Sequence, residues 1–231
     1  MAEASQDQNP EFVHRAFSSI AGRYVVTNHV LSLGVDILWR RKVARRVAEG
    51  ECEVILDVAT GSGDLAATLR ASFPTSRIIG VDFCAPMLAR ARARGLDDLL
   101  VGDGLALPFQ SGSVDVVTVA YGLRNMANWA AALAEFRRVL KPGGRLLILD
   151  FSLPARPWLR VPYRLYLHYL LPRLAGCLAG NFAAYRYLGD SIERFPAGEA
   201  MRGLLLAQGF AEATSEPLWG GISSLYVARQ V

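Results

Sequence analysis

Two hydrophobic periods divide this chain, and the switch between them falls near residue 52. Over 12–24 and 26–49 apolar residues recur at helical spacing, with Asn28 a polar insertion. Short runs that are apolar throughout follow: VILDVA (54–59), RIIGVD (77–82), LLV (99–101), VDVVTVA (114–120) and RLLILDF (145–151). Between them, 64–73, 86–94 and 129–140 return to helical spacing. TGSG (60–63) ends the first run, and KPGG (141–144) stops the last of these helices. Strands apolar on both faces, alternating with helices, call for a parallel sheet covered on both sides. The expected fold class is α/β.

From Ser152 the alternation stops. Residues 153–195 mix Trp158, Tyr163, Tyr166, Tyr169, Phe182, Tyr185, Tyr187 and Phe195 with arginines, which reads as a helical insertion. A helix over 199–208 and strands near 211–216 and 223–228 close the fold. No repeat, low-complexity segment or Ser/Gly linker is visible. The polar start, 1–11, reads as a disordered tail. Residues 12–231 then form one domain: a helical extension (12–50), a core (51–151), the insertion (152–197) and a closing helix with strands (198–231).

Composition narrows the function classes. With 52% hydrophobic residues among 231, the chain can bury a sizeable core. A mean hydropathy of +0.23 raises the question of a membrane span, yet no run reaches the ~18 apolar residues one needs. The net charge of +4 is too mild to imply nucleic-acid binding. Arg40, Arg41, Lys42, Arg45 and Arg46 read as a solvated helix face, with contact to a membrane surface as the alternative. Cys52, Cys84 and Cys177 are odd in number and far apart. They exclude a disulfide framework and a thiolate zinc site and favour a reducing compartment. With no secretory signal at the start, a cytoplasmic protein is expected. His14, His29 and His168 lack metal spacing, so no metal is expected.

The chemistry lies in the first turn. Residues 61–66 read G-x-G-x-x-A between a strand and a helix, and Asp82 ends the next strand. That offset, about 20 residues, suits a carboxylate reaching ribose hydroxyls. Gly61 and Gly63 let the backbone approach a ligand closely, so an adenosine-containing ligand is expected. Its kind follows from charge. Asp57 before the turn and Asp64 after it oppose a pyrophosphate, whereas S-adenosylmethionine brings an ammonium, a carboxylate and a sulfonium and no phosphate. Asp103 ends the third strand, where it contacts the adenine amine or caps the Gly102-Asp103-Gly104 turn. Together these acids favour S-adenosylmethionine over NAD.

Several segments resemble the ubiquinone/menaquinone biosynthesis C-methyltransferase family: LDVATGSGDLA (56–66), LALPF (105–109), YGLRN (121–125), FRRVLKPGGRLLILDFSLP (136–154), YRYLGDSI (185–192) and GGISSLY (220–226). The turn and LKPGGRL recur across many class I methyltransferases; GLRN and YRYLxxSI are far more specific. The resemblance implies a Rossmann-like, mostly parallel seven-stranded sheet into which a reversed last strand tucks. It also implies cofactor contacts at Ser62, Asp82, Asp103, Gly104 and Ala120. The substrate side would be Tyr24, Asn28, Arg124, Asn125, Tyr185, Arg186 and Tyr187, with Arg124 stabilising a ring oxyanion or positioning a water that takes the proton. Tyr24-Val25-Val26-Thr27-Asn28 departs from the family's Y-D-x-x-N. The implied substrate is a polyprenylated quinol, methylated on a ring carbon. Its tail would ask for bilayer access, and WLRVPYRLYLHYLLPR (158–173) has the composition of an interfacial helix; a lid or a homodimer contact is the alternative. Methylation of another lipophilic or aromatic molecule, and a non-catalytic cofactor-binding protein, remain rival readings.

Overall fold

The computed structural model describes residues 34–50, 52–173 and 182–231, with the side chains of 182–185 excepted. The expected tail, the first helix, Tyr24 and Asn28 lie outside the described residues, as does the side chain of Tyr185.

Helix α1 (Val35–Val47) precedes strand β1 (Val54–Val58) and helix α2 (Asp64–Ser72). Strand β2 (Arg77–Asp82), helix α3 (Ala85–Ala93), strand β3 (Leu99–Val101) and strand β4 (Val114–Ala120) follow. A short 3-10 turn (Leu123–Asn125) leads to helix α4 (Trp129–Val139) and strand β5 (Leu140–Phe151). The insertion supplies helix α5 (Pro157–Leu165), continued by a π turn (Tyr166–Leu170), and helix α6 (Phe182–Arg194). Helix α7 (Glu199–Ala207), strand β6 (Glu212–Leu218) and strand β7 (Ser223–Arg229) complete the chain order.

The sheet has seven strands in the order β3-β2-β1-β4-β5-β7-β6. The first five pair in parallel, and β7 runs antiparallel to both β5 and β6. The reversed last strand and the mostly parallel sheet are therefore as expected. One cluster, built on Leu56, Val117, Leu133, Phe136 and Tyr226, fills one side of the sheet. A second, with Trp39, Val47, Leu69, Val116 and Leu147, fills the other. Successive residues of each central strand go to opposite clusters, which is why those runs carry no polar alternation.

Two details differ from expectation. Residues 141–144 stop α4 but do not form a free loop: they lie within β5 as a bulge, with Gly143 at φ 75° and the pairing jumping from Val114↔Leu140 to Val116↔Arg145. The basic cluster is a solvated face except at Arg40: Arg41 and Arg45 are exposed, and Lys42 and Arg46 keep 37% and 40% of their side-chain surface while pairing with Glu216 on β6. Arg40 instead pairs with the buried Asp36.

Candidate active site

A cleft opens where β1, β2, β3 and β4 end, at the point where the chain crosses from one half of the sheet to the other. Open α/β sheets bind ligands there because neighbouring loops diverge in opposite directions. Its first part is lined by Arg40, Asp57, Gly61, Ser62, Asp82 and Tyr121 among others. The second runs past Asp103, Gly104 and Met126, and Asn125 faces both.

Asp57 is 1% exposed. The Thr60 hydroxyl donates to its Oδ2 and the Thr118 hydroxyl to its Oδ1, each at 2.7 Å. Burial dominates over these two neutral donors and pushes the carboxyl up from 3.8 to about 6. A cation arriving in the cleft would restore the charge. Asp82 accepts the Gly61 N–H on Oδ2 and the Cys84 N–H on Oδ1, both at 2.8 Å. It thereby ties the glycine turn to the start of α3, and a lone pair on each oxygen remains for a ligand. Burial raises its value as well, against the pull of the two amides.

Asp103 is exposed, lines the cleft and accepts the Leu105 N–H at 2.9 Å, so turn capping and cleft exposure coexist in one residue. At Gly104 a Cβ would crowd the Met126 terminal methyl at 2.9 Å and Val58 at 3.2 Å, so a side chain there would displace Met126. Ala120 also lines the cleft. Gly63 does not. It caps α2 at φ 79°, and a Cβ there would meet Leu96 at 2.4 Å, so this glycine serves the packing of α2 on α3.

Two non-glycine residues at the rim, Ala59 and Tyr121, hold φ of 53° and 59°. Such left-handed backbone costs on the order of 1–3 kcal/mol each and clusters at functional sites. The Tyr121 ring packs against Phe151, tilted by 33° with centroids 4.6 Å apart, and the Arg40 guanidinium lies over the Tyr121 ring at 5.9 Å.

The YGLRN segment divides its labour. Arg124 is 2% exposed and does not line the cleft. Its Nη1 donates to Asp150 Oδ1 and to the Tyr121 carbonyl, both at 2.7 Å. Asn125 reaches the cleft, donates to the Tyr121 carbonyl at 3.2 Å and accepts the Tyr187 hydroxyl at 3.3 Å. The two segments most specific in sequence thus meet through Asn125 and Tyr187, although they are far apart along the chain. Arg186 is exposed on α6 and lines neither part of the cleft. Sequence reasoning missed Arg40, Thr118, Tyr121 and Asp150. For Arg40 a signal existed: Asp36, Trp39, Arg40, Val43 and Val47 fall on one helical stripe.

Comparisons with known proteins agree with this arrangement. Residues 3–230 match the ubiE/COQ5 methyltransferase family. The chain is 46% identical to a protein of Thermus thermophilus named demethylmenaquinone methyltransferase, over 91% of this chain and 98% of that one. It is 42% identical to the ubiquinone/menaquinone biosynthesis C-methyltransferase UbiE of Syntrophotalea carbinolica, over 91% and 90%. Among solved structures, a SAM-dependent methyltransferase of Thermotoga maritima, described as a possible histamine N-methyltransferase, superposes with a TM-score of 0.67 at 18% identity. That match covers 94% of this chain and 99% of the other, and shows the shared fold. The chain belongs to the ubiE/COQ5 methyltransferase family.

Proposed function

We propose that the chain transfers a methyl group from S-adenosylmethionine to a ring carbon of a polyprenylated quinol, a demethylmenaquinol or a ubiquinone precursor. The observation that carries this reading is that the GLRN and YRYLxxSI segments meet at Asn125, which accepts the Tyr187 hydroxyl and lines a cleft also lined by Asp57 and Asp82. Relatives named for demethylmenaquinone methylation, at 46% and 42% identity, support it.

The residues present fit the methyl donor. Asp57 offers a buried carboxylate, bonded by neutral hydroxyls, to an ammonium. Asp82 and Asp103 offer acceptors to ribose hydroxyls and an adenine amine. Gly104 and Ala120 keep the walls flat, and Ser62 stands at the turn. When bound, the donor supplies a methyl group already activated on a sulfonium.

The chain's own task is then to orient and to exclude water, a contribution of roughly 7–11 kcal/mol when reacting atoms are held at near-attack distance. A quinol carbon becomes nucleophilic as its hydroxyl loses a proton, so the ring oxygen needs a donor. Asn125 lines the cleft and supplies an amide donor, and the Tyr187 hydroxyl, bonded to its Oδ1, orients that amide. Arg124 acts behind them: bonded to Asp150 and the Tyr121 carbonyl, it fixes the turn that aims Asn125. Tyr24, Asn28 and Tyr185 join the substrate side in this reading on the strength of the resemblance.

The prenyl tail gives a reason for peripheral contact with a membrane. No helix among the described residues is long and apolar enough to cross one. The outer face of α5 and its π turn instead exposes Trp158, Val161, Leu165 and Tyr169, flanked by Arg156 and Arg160, while Arg164 pairs with Glu193 and Leu167 packs inward near Phe151. That is the build of a helix lying in an anionic interface.

The test is direct. Purified protein, methyl-labelled donor and demethylated quinols of the benzo and naphtho types are incubated, and label is expected on the ring carbon of one of them. Label in no quinol would overturn the reading.

A further inference from the structure

We infer that Arg40, on α1, forms a carboxylate-binding subsite at one end of the cleft and holds the amino-acid end of the methyl donor. The inference rests on the donor assignment above and adds a residue from outside the strand-and-turn motif.

The argument is one of charge balance. Among the described residues lining the first part of the cleft, the acids are Asp57, Asp64 and Asp82, and the cation is Arg40. An amino-acid end carries an ammonium and a carboxylate side by side. Asp57 suits the first. The second needs a cation or a helix N-terminus. The start of α2 is a poor choice, because Asp64 already sits in its first turn and takes the Ser62 hydroxyl and Arg94. That end of α2 thus already has its own carboxylate, paired with Arg94.

Arg40 has what the position requires. Its side chain is 12% exposed, so it is largely withdrawn from water, where a charge-assisted bond counts for more. Its Nη1 contacts Asp36 Oδ2 at 2.6 Å, one turn earlier, which fixes the guanidinium on the buried stripe of α1. The Tyr121 ring braces it from the side at 5.9 Å. A guanidinium carries five N–H donors, so the Asp36 bond leaves others for a planar, forked acceptor. A carboxylate is such an acceptor.

The experiment compares two adenosine thioethers by titration calorimetry on the full chain. S-adenosylhomocysteine has the amino-acid end; 5′-methylthioadenosine lacks it. Arg40→Ala is expected to weaken the first by about tenfold to a hundredfold and to leave the second within about twofold. Equal losses for both ligands would make Arg40 a packing residue and overturn the inference, as would an unchanged affinity for S-adenosylhomocysteine. Should Arg40→Ala fail to fold, Arg40→Gln keeps the stem and a hydrogen-bonding end. It must lower the ratio of the two affinities, and an unchanged ratio overturns the subsite. Wild-type protein that binds neither thioether would instead overturn the donor assignment, and the subsite with it.

Discussion

Asp57 is a destabilising residue that the site keeps. Its carboxyl rises to about 6 in the fold from 3.8, so the native protein holds a proton over a range where the unfolded chain has released it. Stability therefore falls as pH rises from about 4 to about 6, by about 3 kcal/mol in all. Ligand binding runs the other way, because an ammonium needs the ionised form. Affinity for S-adenosylhomocysteine should drop about tenfold per pH unit below about 6, and Asp57→Asn should flatten that slope while melting no lower than wild type at pH 7. Calorimetry across pH 5–8 checks both parts; a slope unchanged in Asp57→Asn would refute the assignment. Arg124 and Asn125 make a contrasting pair. Arg124→Ala strands Asp150, which is 0% exposed, and should cost about 3–5 kcal/mol in denaturant unfolding. Asn125→Ala should leave stability nearly unchanged and lower turnover by about 10²-fold. The position before Asn125 was legible as important from GLRN. Its burial was not, because the partner, Asp150, comes from a strand whose sequence reads only as apolar.

Between neighbouring elements, fit is decided by single carbons. At Gly122 a Cβ would lie 2.4 Å from the Cβ of Ala59, so the turn after β4 nests against the turn after β1. Gly122→Ala should cost about 1–3 kcal/mol by overpacking. Ala59→Gly removes the obstructing carbon and suits the positive φ of 53°, so the double variant should recover most of that loss. Thermal melts of the four proteins close the cycle. Helix α5 carries the other prediction at this scale. Wild-type protein should float with phosphatidylglycerol-containing vesicles and not with neutral ones, and Trp158→Glu with Leu165→Glu should abolish recovery. Size-exclusion in parallel shows whether that face pairs two copies instead. The strands were legible because burial on both faces leaves an unbroken apolar run. The helices of the insertion were legible only as a composition, since Pro162 and the π turn interrupt the spacing that marks a helix.

At the level of the whole molecule, the cleft depends on both ends of the described chain. Helix α1 brings Arg40 to it, and α6 holds the lining residue Asn125 through Tyr187, while the ends of β1, β2 and β3 supply the acids. Strand-end acids are readable because each follows a run of fixed kind. Arg40 and Tyr187 are placed by packing between distant segments, which a local pattern does not encode. The position of β7 has a further consequence. It is the last strand in chain order, yet it sits between β5 and β6 and pairs with β5 from Arg145↔Arg229 to Phe151↔Ser223. During synthesis at ~5–20 residues per second, β5 must wait several seconds with one flank open. For that interval the nascent polypeptide offers a bare, greasy ribbon to any other ribbon nearby, which makes it a natural client for chaperones that shield such flanks on the ribosome.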